Sequence, residues 1–195
     1  MKKTHLSIKK YIQNIFDVLN NTQVTDCLNK KLQLNVATDQ IVNYIIQTKK
    51  SNNKIMVIGN GGSAAIASHA QNDMCKAVGV KSLVFTEQPL LTALSNDNGY
   101  ENAYQNLIEL WAEKDDLLFA ISSSGNSENI IKAISAAKQR GCQIITFSGF
   151  MPDNVIRKTG NLNFYINSIQ YGSVEMAHSI LLHYLTDQAK EILNW

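Results

Sequence analysis

A chain of 195 residues, 45% hydrophobic and 17% charged, has the apolar material for one ordinary core and no bias toward disorder. A formal net charge of +2 is too small to direct it to nucleic acid or a membrane surface, and the paired lysines (Lys2-Lys3, Lys9-Lys10, Lys30-Lys31, Lys49-Lys50) read as solvated helix faces. The apolar runs are strand-sized, no apolar stretch follows Lys2 and Lys3, and Cys27, Cys75 and Cys142 lack CxxC spacing, so a membrane span, a secretory leader, a disulfide framework and a thiolate metal site are not expected, and a reducing cytoplasm is.

Ile8, Ile12, Ile15, Phe16 and Leu19 recur at three- and four-residue spacing and predict a helix. Leu34, Ala37, Ile41, Tyr44, Ile45 and Thr48 predict a second. With no strand signal among them, residues 1–50 read as a helical arm against the core or another subunit. From Lys54 the texture changes. Short apolar runs at 55–58, 83–85, 117–121, 144–147 and 162–166 alternate with helical patterns at 64–77, 90–94 with 104–111, and 130–140, and a last helix covers about 173–192. Strand alternating with helix predicts an α/β fold whose parallel sheet is covered on both faces, with the carboxyl ends of all strands on one edge. Pro89 and Pro152 sit in connections, and no linker or repeat divides the chain, so 1–195 reads as one domain with an α/β core over 51–195.

Two strand-to-helix junctions carry the functional signal. In the first, Val57-Ile58-Gly59-Asn60-Gly61-Gly62-Ser63, three glycines free the backbone and Ser63 reads as the N-cap of a helix. The second, Ile121-Ser122-Ser123-Ser124-Gly125-Asn126-Ser127, combines hydroxyl donors with another helix start at Ser127. Unpaired amides at a helix start suit an anion, and the serine density matches the acceptor oxygens of a phosphate. Each turn alone reads as an ordinary tight connection; two at the same sheet edge read as a phosphate grip. A P-loop is rejected, since Gly62 stands where its lysine belongs. Gly59, Gly61 and Ala64 fit a dinucleotide fingerprint formally, but Glu87 falls late for its acidic partner, and no nucleotide cofactor is expected.

These residues resemble the sugar isomerase (SIS) domain family. Asn60-Gly61-Gly62-Ser63 with His69, the serine turn, Asn96-Asp97 with Gly99, and a last helix bearing Glu175, His178 and His183 are similar to its phosphoheptose isomerase branch. The resemblance implies a three-layer α/β/α sandwich around a five-stranded parallel sheet, and a homotetramer with sites at subunit interfaces. It implies aldose–ketose conversion of sedoheptulose 7-phosphate to D-glycero-D-manno-heptose 7-phosphate, for lipopolysaccharide or capsule. It places substrate contacts at Asn60, Gly61, Gly62, Ser63, Asn96, Asp97, Ser122, Ser123, Ser124, Ser127 and Glu175. For some members it implies a zinc ion held at the positions of His69, Asp73, Glu175 and His183. Well-known members carry Glu at the position of Asp73 and Gln at that of Glu175. Related branches act on other phosphosugars, sense them without catalysis, or bind a replication-initiation protein.

His69 and Asp73, four apart on one helix, share a face. Glu175 and His183 are eight apart, roughly 80° around a helix, and converge on one site only if its face is broad. Two imidazoles and two carboxylates suit zinc, and equally suit metal-free proton transfer through an enediol. Asp73 or Glu175 is the expected base and His183 its acid–base partner; His178, near Met176 and Leu181, reads as a packed structural histidine.

Overall fold

The computed structural model describes residues 6–194; Lys2 and Lys3 lie outside them. In chain order the elements are α1 (Ile8–Asn20), β1 (Gln23–Asp26), β2 (Lys31–Leu32), α2 (Leu34–Lys50), β3 (Lys54–Gly59), α3 (Gly62–Asp73), β4 (Lys81–Val84), α4 (Gln88–Asn98), α5 (Tyr100–Trp111), β5 (Leu117–Ser122), α6 (Glu128–Gln139), β6 (Gln143–Ser148), β7 (Leu162–Tyr165) and α7 (Tyr171–Leu193). A π-helical turn, Met74–Val78, extends α3.

The five expected strands form a parallel array in the order β7-β6-β5-β3-β4. Residues 1–50, expected to be wholly helical, also supply the antiparallel hairpin β1–β2, which extends the sheet to seven strands by pairing β1 with β7. The hairpin escapes sequence reading because tertiary pairing makes it: Val24 alone of its residues is buried, and Asp26 Oδ1 shapes the turn by accepting from the amides of Leu28 and Lys30. Lys30 and Lys31 thus lie on the hairpin and not on a helix face, and Lys49 donates to the Val78 carbonyl at 2.7 Å.

Strand residues alternate between two cores. Leu117, Phe119 and Ile121 of β5 join Ile41 and Ile45 of α2, Ala67 of α3 and Leu181 and Leu185 of α7 on one face. Leu118 and Ala120 join Tyr104 and Ile108 of α5 and Ile130 and Ile134 of α6 on the other. This is the expected sandwich, with α2 part of the core. At the amino edge of the sheet, the fully buried Asp116 carboxylate accepts from the amides of Glu113 (2.8 Å) and Lys54 (3.0 Å) and pairs with Lys54 Nζ at 2.8 Å. Burial works to lower the Lys54 pKa, but its bonds to Asp116 and Glu113 outweigh that and leave it raised.

His178 is the packed histidine anticipated: fully buried, its ring edge-on to Phe147, its Nε2 3.2 Å from the Ser148 carbonyl. Burial lowers its pKa to about 4 against the opposing pull of that bond. The folded chain therefore binds fewer protons here than the unfolded chain between pH ~6.5 and 4. The contribution is complete above the unfolded pKa and fades as pH falls toward the folded one, by up to about 3 kcal/mol. Urea midpoints measured from pH 7 to 4.5 are expected to fall less steeply in His178→Gln than in the unmodified chain.

Candidate active site

β3 leads to β4 at one edge of the sheet, and β5 lies on the other side of β3, so the strand order reverses between β3 and β5. Crevices at the carboxyl ends of strands flanking such a reversal are where open α/β sheets bind ligands. Gly59 and Ile121 are register partners at those ends, so the glycine and serine turns emerge side by side. They line one cavity of about 240 Å³ together with Tyr171 and Glu175 of α7.

Gly61, at φ +53°, takes a left-handed conformation that starts α3 at Gly62. Gly61, not Ser63, therefore occupies the N-cap position, and Ser63 is a buried residue of the first helical turn whose amide reaches Asn60 O. The amides of Ser63 and Ala64 turn back onto Asn60 O at 2.9 and 3.3 Å, and Gly61, Gly62 and Ser63 line the cavity. Asn60 is held by a reciprocal pair of 2.9 Å bonds with the Asn129 amide and by Tyr100 Oη at 2.7 Å.

In the second turn Ser122 Oγ is the hub. It accepts from the Gly125 amide at 3.1 Å and lies 3.2 Å from Ser127 Oγ and 3.5 Å from Ser124 Oγ. Ser127 is the N-cap residue of α6, with its hydroxyl turned to Ser122 instead of to the helix. Ser123 Oγ is buried with no partner. Gly125, at φ +66°, has no room for a side chain: an added Cβ would fall 2.0 Å from Asn154 Oδ1.

Further along the same two helices, Asp73 Oδ2 stands 3.2 Å from His183 Nδ1 and 3.5 Å from His69 Nε2, and the two rings meet edge-on at 4.7 Å. The ligand atoms of these three residues lie within 4.8 Å of one another. That spacing suits a small cation, and the N2O donor set suits zinc with one coordination position open. Glu175 is not in this group. About 12 Å earlier along α7 by helical rise, its carboxylate faces the start of α3, where a Cβ on Gly62 would lie 2.3 Å from Oε2. One chain thus brings together the two cradles with Glu175, and separately His69, Asp73 and His183. Asn96 and Asp97 lie exposed in the last turn of α4, bonded to each other at 2.9 Å and away from the cavity.

Tyr171, Tyr100 and Asn129 escaped sequence reading. Of the three only Asn129 left a signal: a polar residue on the buried face of α6, beside Ile130 and Ala133. Cys27 and Cys75 are exposed and Cys142 is buried, its thiol pushed up to about 12 first by burial and then by the charge of Asp116. No helix among the described residues is long and apolar enough to cross a membrane.

The sequence profile of the SIS domain family matches residues 10–149. The phosphoheptose isomerase of Helicobacter pylori strain P12 is 31% identical over 170 residues, covering 83% of this chain and 88% of the relative. That of Aliarcobacter butzleri is 33% identical over 144 residues, covering 71% and 76%. Among solved structures, the phosphoheptose isomerase of Neisseria gonorrhoeae superposes with a TM-score of 0.71 at 27% identity, covering 78% of this chain and 84% of that one. That of Francisella tularensis gives 0.80 at 21% identity, covering 94% and 96%, a likeness of fold.

Proposed function

The chain belongs to the SIS domain family, within it to the phosphoheptose isomerases, and from that premise we propose that it converts D-sedoheptulose 7-phosphate to D-glycero-D-manno-heptose 7-phosphate for heptose biosynthesis. The carrying observation is the single cavity at the β3/β5 reversal, where both cradles meet beside a carboxylate.

Serine hydroxyls and the first amides of α6 hold the phosphate. This remote grip supplies binding energy that fixes the reacting carbons. The reaction removes a proton from the carbon next to the carbonyl and returns one to its neighbour, through an enediol. Glu175 lines the cavity and reaches the substrate there; Asp73 and His183, 3.2 Å apart, form a carboxylate–imidazole pair able to pass a proton between oxygens. Asn60, fixed by Asn129 and Tyr100, orients a hydroxyl. His69, Asp73 and His183 are the residues that would hold a zinc ion, which would supply Lewis-acid polarisation to an oxygen ligand in its open position.

Exposed Ile8, Ile12 and Phe16 on α1, and Met176, Ile180 and Tyr184 at four-residue spacing on α7, support assembly of copies into the homotetramer implied by the family. The biosynthetic role supports a cytoplasmic location.

The test is turnover of sedoheptulose 7-phosphate with and without a chelator, with deuterium exchange at the carbon next to the carbonyl. Isomerisation with wash-in of solvent deuterium is expected. A chain that binds phosphosugars without exchange is a sensor, and the catalytic reading then falls. The carboxylate variant, Asp73→Asn or Glu175→Gln, that loses exchange identifies the base.

A further inference from the structure

A second cavity, of about 380 Å³, lies at the margin of the sheet and is lined by Thr25, Asn29, Lys31, Pro152, Arg157 and Lys158. It shares no residue with the cavity of the two cradles. None of its lining belongs to α1 or α7, the helices whose exposed apolar faces support assembly. Three of these side chains are cationic and none is acidic. Thr25 and Lys31 are register partners across the hairpin β1–β2, so both project from one face of it. Arg157 and Lys158 come from a 3-10 turn, Val155–Lys158, in the connection from β6 to β7. Among the described residues no ion pair involves Lys31, Arg157 or Lys158. Asp26, next to Thr25, is already engaged by the amides of Leu28 and Lys30.

Arg157 is held in place. Its guanidinium donates to the Pro152 carbonyl and, at 2.6 Å, to Gln23 Oε1, and it stacks 3.9 Å over the Tyr165 ring. These bonds leave guanidinium donors over. Thr25 is an independent sign: its hydroxyl is buried with no hydrogen-bond partner, a cost that a bound group relieves. Lysines at a sheet margin also discourage strand pairing, but that task needs neither a fixed arginine nor a cavity free of carboxylates. We propose that this cavity is a second anion site, for a ligand bearing a diphosphate group. Arg157 and Lys158 on one side and Lys31 on the other share its negative charge, through the charge-assisted bonds that guanidinium and ammonium groups make to phosphoryl oxygens. Thr25 and Asn29 bond its remaining oxygens. Three cations suit a diphosphate better than a single phosphate, and the space exceeds the 240 Å³ of the crevice between β3 and β5.

Inorganic pyrophosphate is the probe, titrated by calorimetry into the full chain with a chelator present, so that no metal at His69, Asp73 and His183 captures it. The titrations are repeated in a Ser124→Ala, Ser127→Ala background, which weakens the serine turn as a competing site. Binding is expected to persist in that background. Adding Lys31→Gln and Lys158→Gln is expected to weaken it about tenfold or more, the effect of losing charge-assisted bonds. Both lysines are exposed, so the fold should survive, which circular dichroism checks. Inorganic phosphate is expected to bind about tenfold more weakly than pyrophosphate, having fewer oxygens to engage. ADP separates two sources of the same group: binding equal to that of pyrophosphate assigns the diphosphate alone, and tighter binding places an organic moiety beside it. Pyrophosphate binding that disappears in the serine background, or that is unchanged by the lysine substitutions, would overturn the proposal. So would no binding at millimolar pyrophosphate, or phosphate binding as tightly. The isomerase reading depends on none of these outcomes.

Discussion

Asp73→Asn and His183→Ala are each expected to lower kcat by about 10³-fold, within the range that positioned acid–base groups contribute, while leaving the fold intact. The geometry argues for both halves of that expectation. Asp73 Oδ2 is shared between two imidazoles at 3.2 and 3.5 Å, so removing either its charge or His183 dissolves the same constellation. Residues that act as a unit are not additive, and the double variant is expected to lose little more than either single one. The cluster stands at the surface, with His69 and His183 about half exposed, and partly solvated pairs contribute at most about 1 kcal/mol to stability. Urea midpoints of the variants should match that of the unmodified chain within that margin. Unchanged turnover in Asp73→Asn would remove the cluster from the reaction.

The largest loss of stability is expected at the opposite end of the sheet. Asp116→Ala should cost about 3–5 kcal/mol, the usual penalty for breaking a buried ion pair from one side. The carboxylate is fully buried and bonded to the amides of Lys54 and Glu113, to Asn53 Nδ2 at 3.3 Å and to Lys54 Nζ. Its removal strands two amides, that of Lys54 at the start of β3 and that of Glu113 in the connection between α5 and β5. Lys54 keeps a second partner, Glu113 at 2.7 Å, but that carboxylate is largely exposed, which sets the expectation at the lower end. For a chain of this length the loss corresponds to a fall in Tm on the order of 10 °C. Asp116→Asn, which keeps an acceptor, should recover part of it. The cavity lies at the far end of β5, a strand of six residues spanning roughly 20 Å. Phosphate affinity of the folded variant should therefore be unchanged, which separates this effect from damage to the site.

What the sequence made legible divides along a physical line. β3, β5 and β6 are apolar runs buried almost throughout, and the runs announce themselves. β1 carries one buried residue and exists because β7 has a free edge to pair with, which no local pattern encodes. The two turns were legible because glycine and serine density is local. The true start of α3 was not, because it depends on Gly61 adopting φ +53°, which shifts the helix one residue ahead of the serine that composition favours. The 80° between Glu175 and His183 was legible as a difficulty. The structure answers it with two places: Glu175 against Gly62, His183 against Asp73. Tyr100 and Asn129 bind Asn60 from 40 and 69 residues away in sequence, beyond the reach of any spacing rule.

The hairpin β1–β2 also constrains how copies of the chain can meet. By pairing with β7 it caps that side of the sheet with a two-residue strand that begins at a lysine. So short and charged a margin gives a second chain almost no ladder of amides and carbonyls to join. Growth by strand addition is disfavoured at that margin, so a contact made there between copies would rest on side chains and not on a shared ladder of backbone bonds.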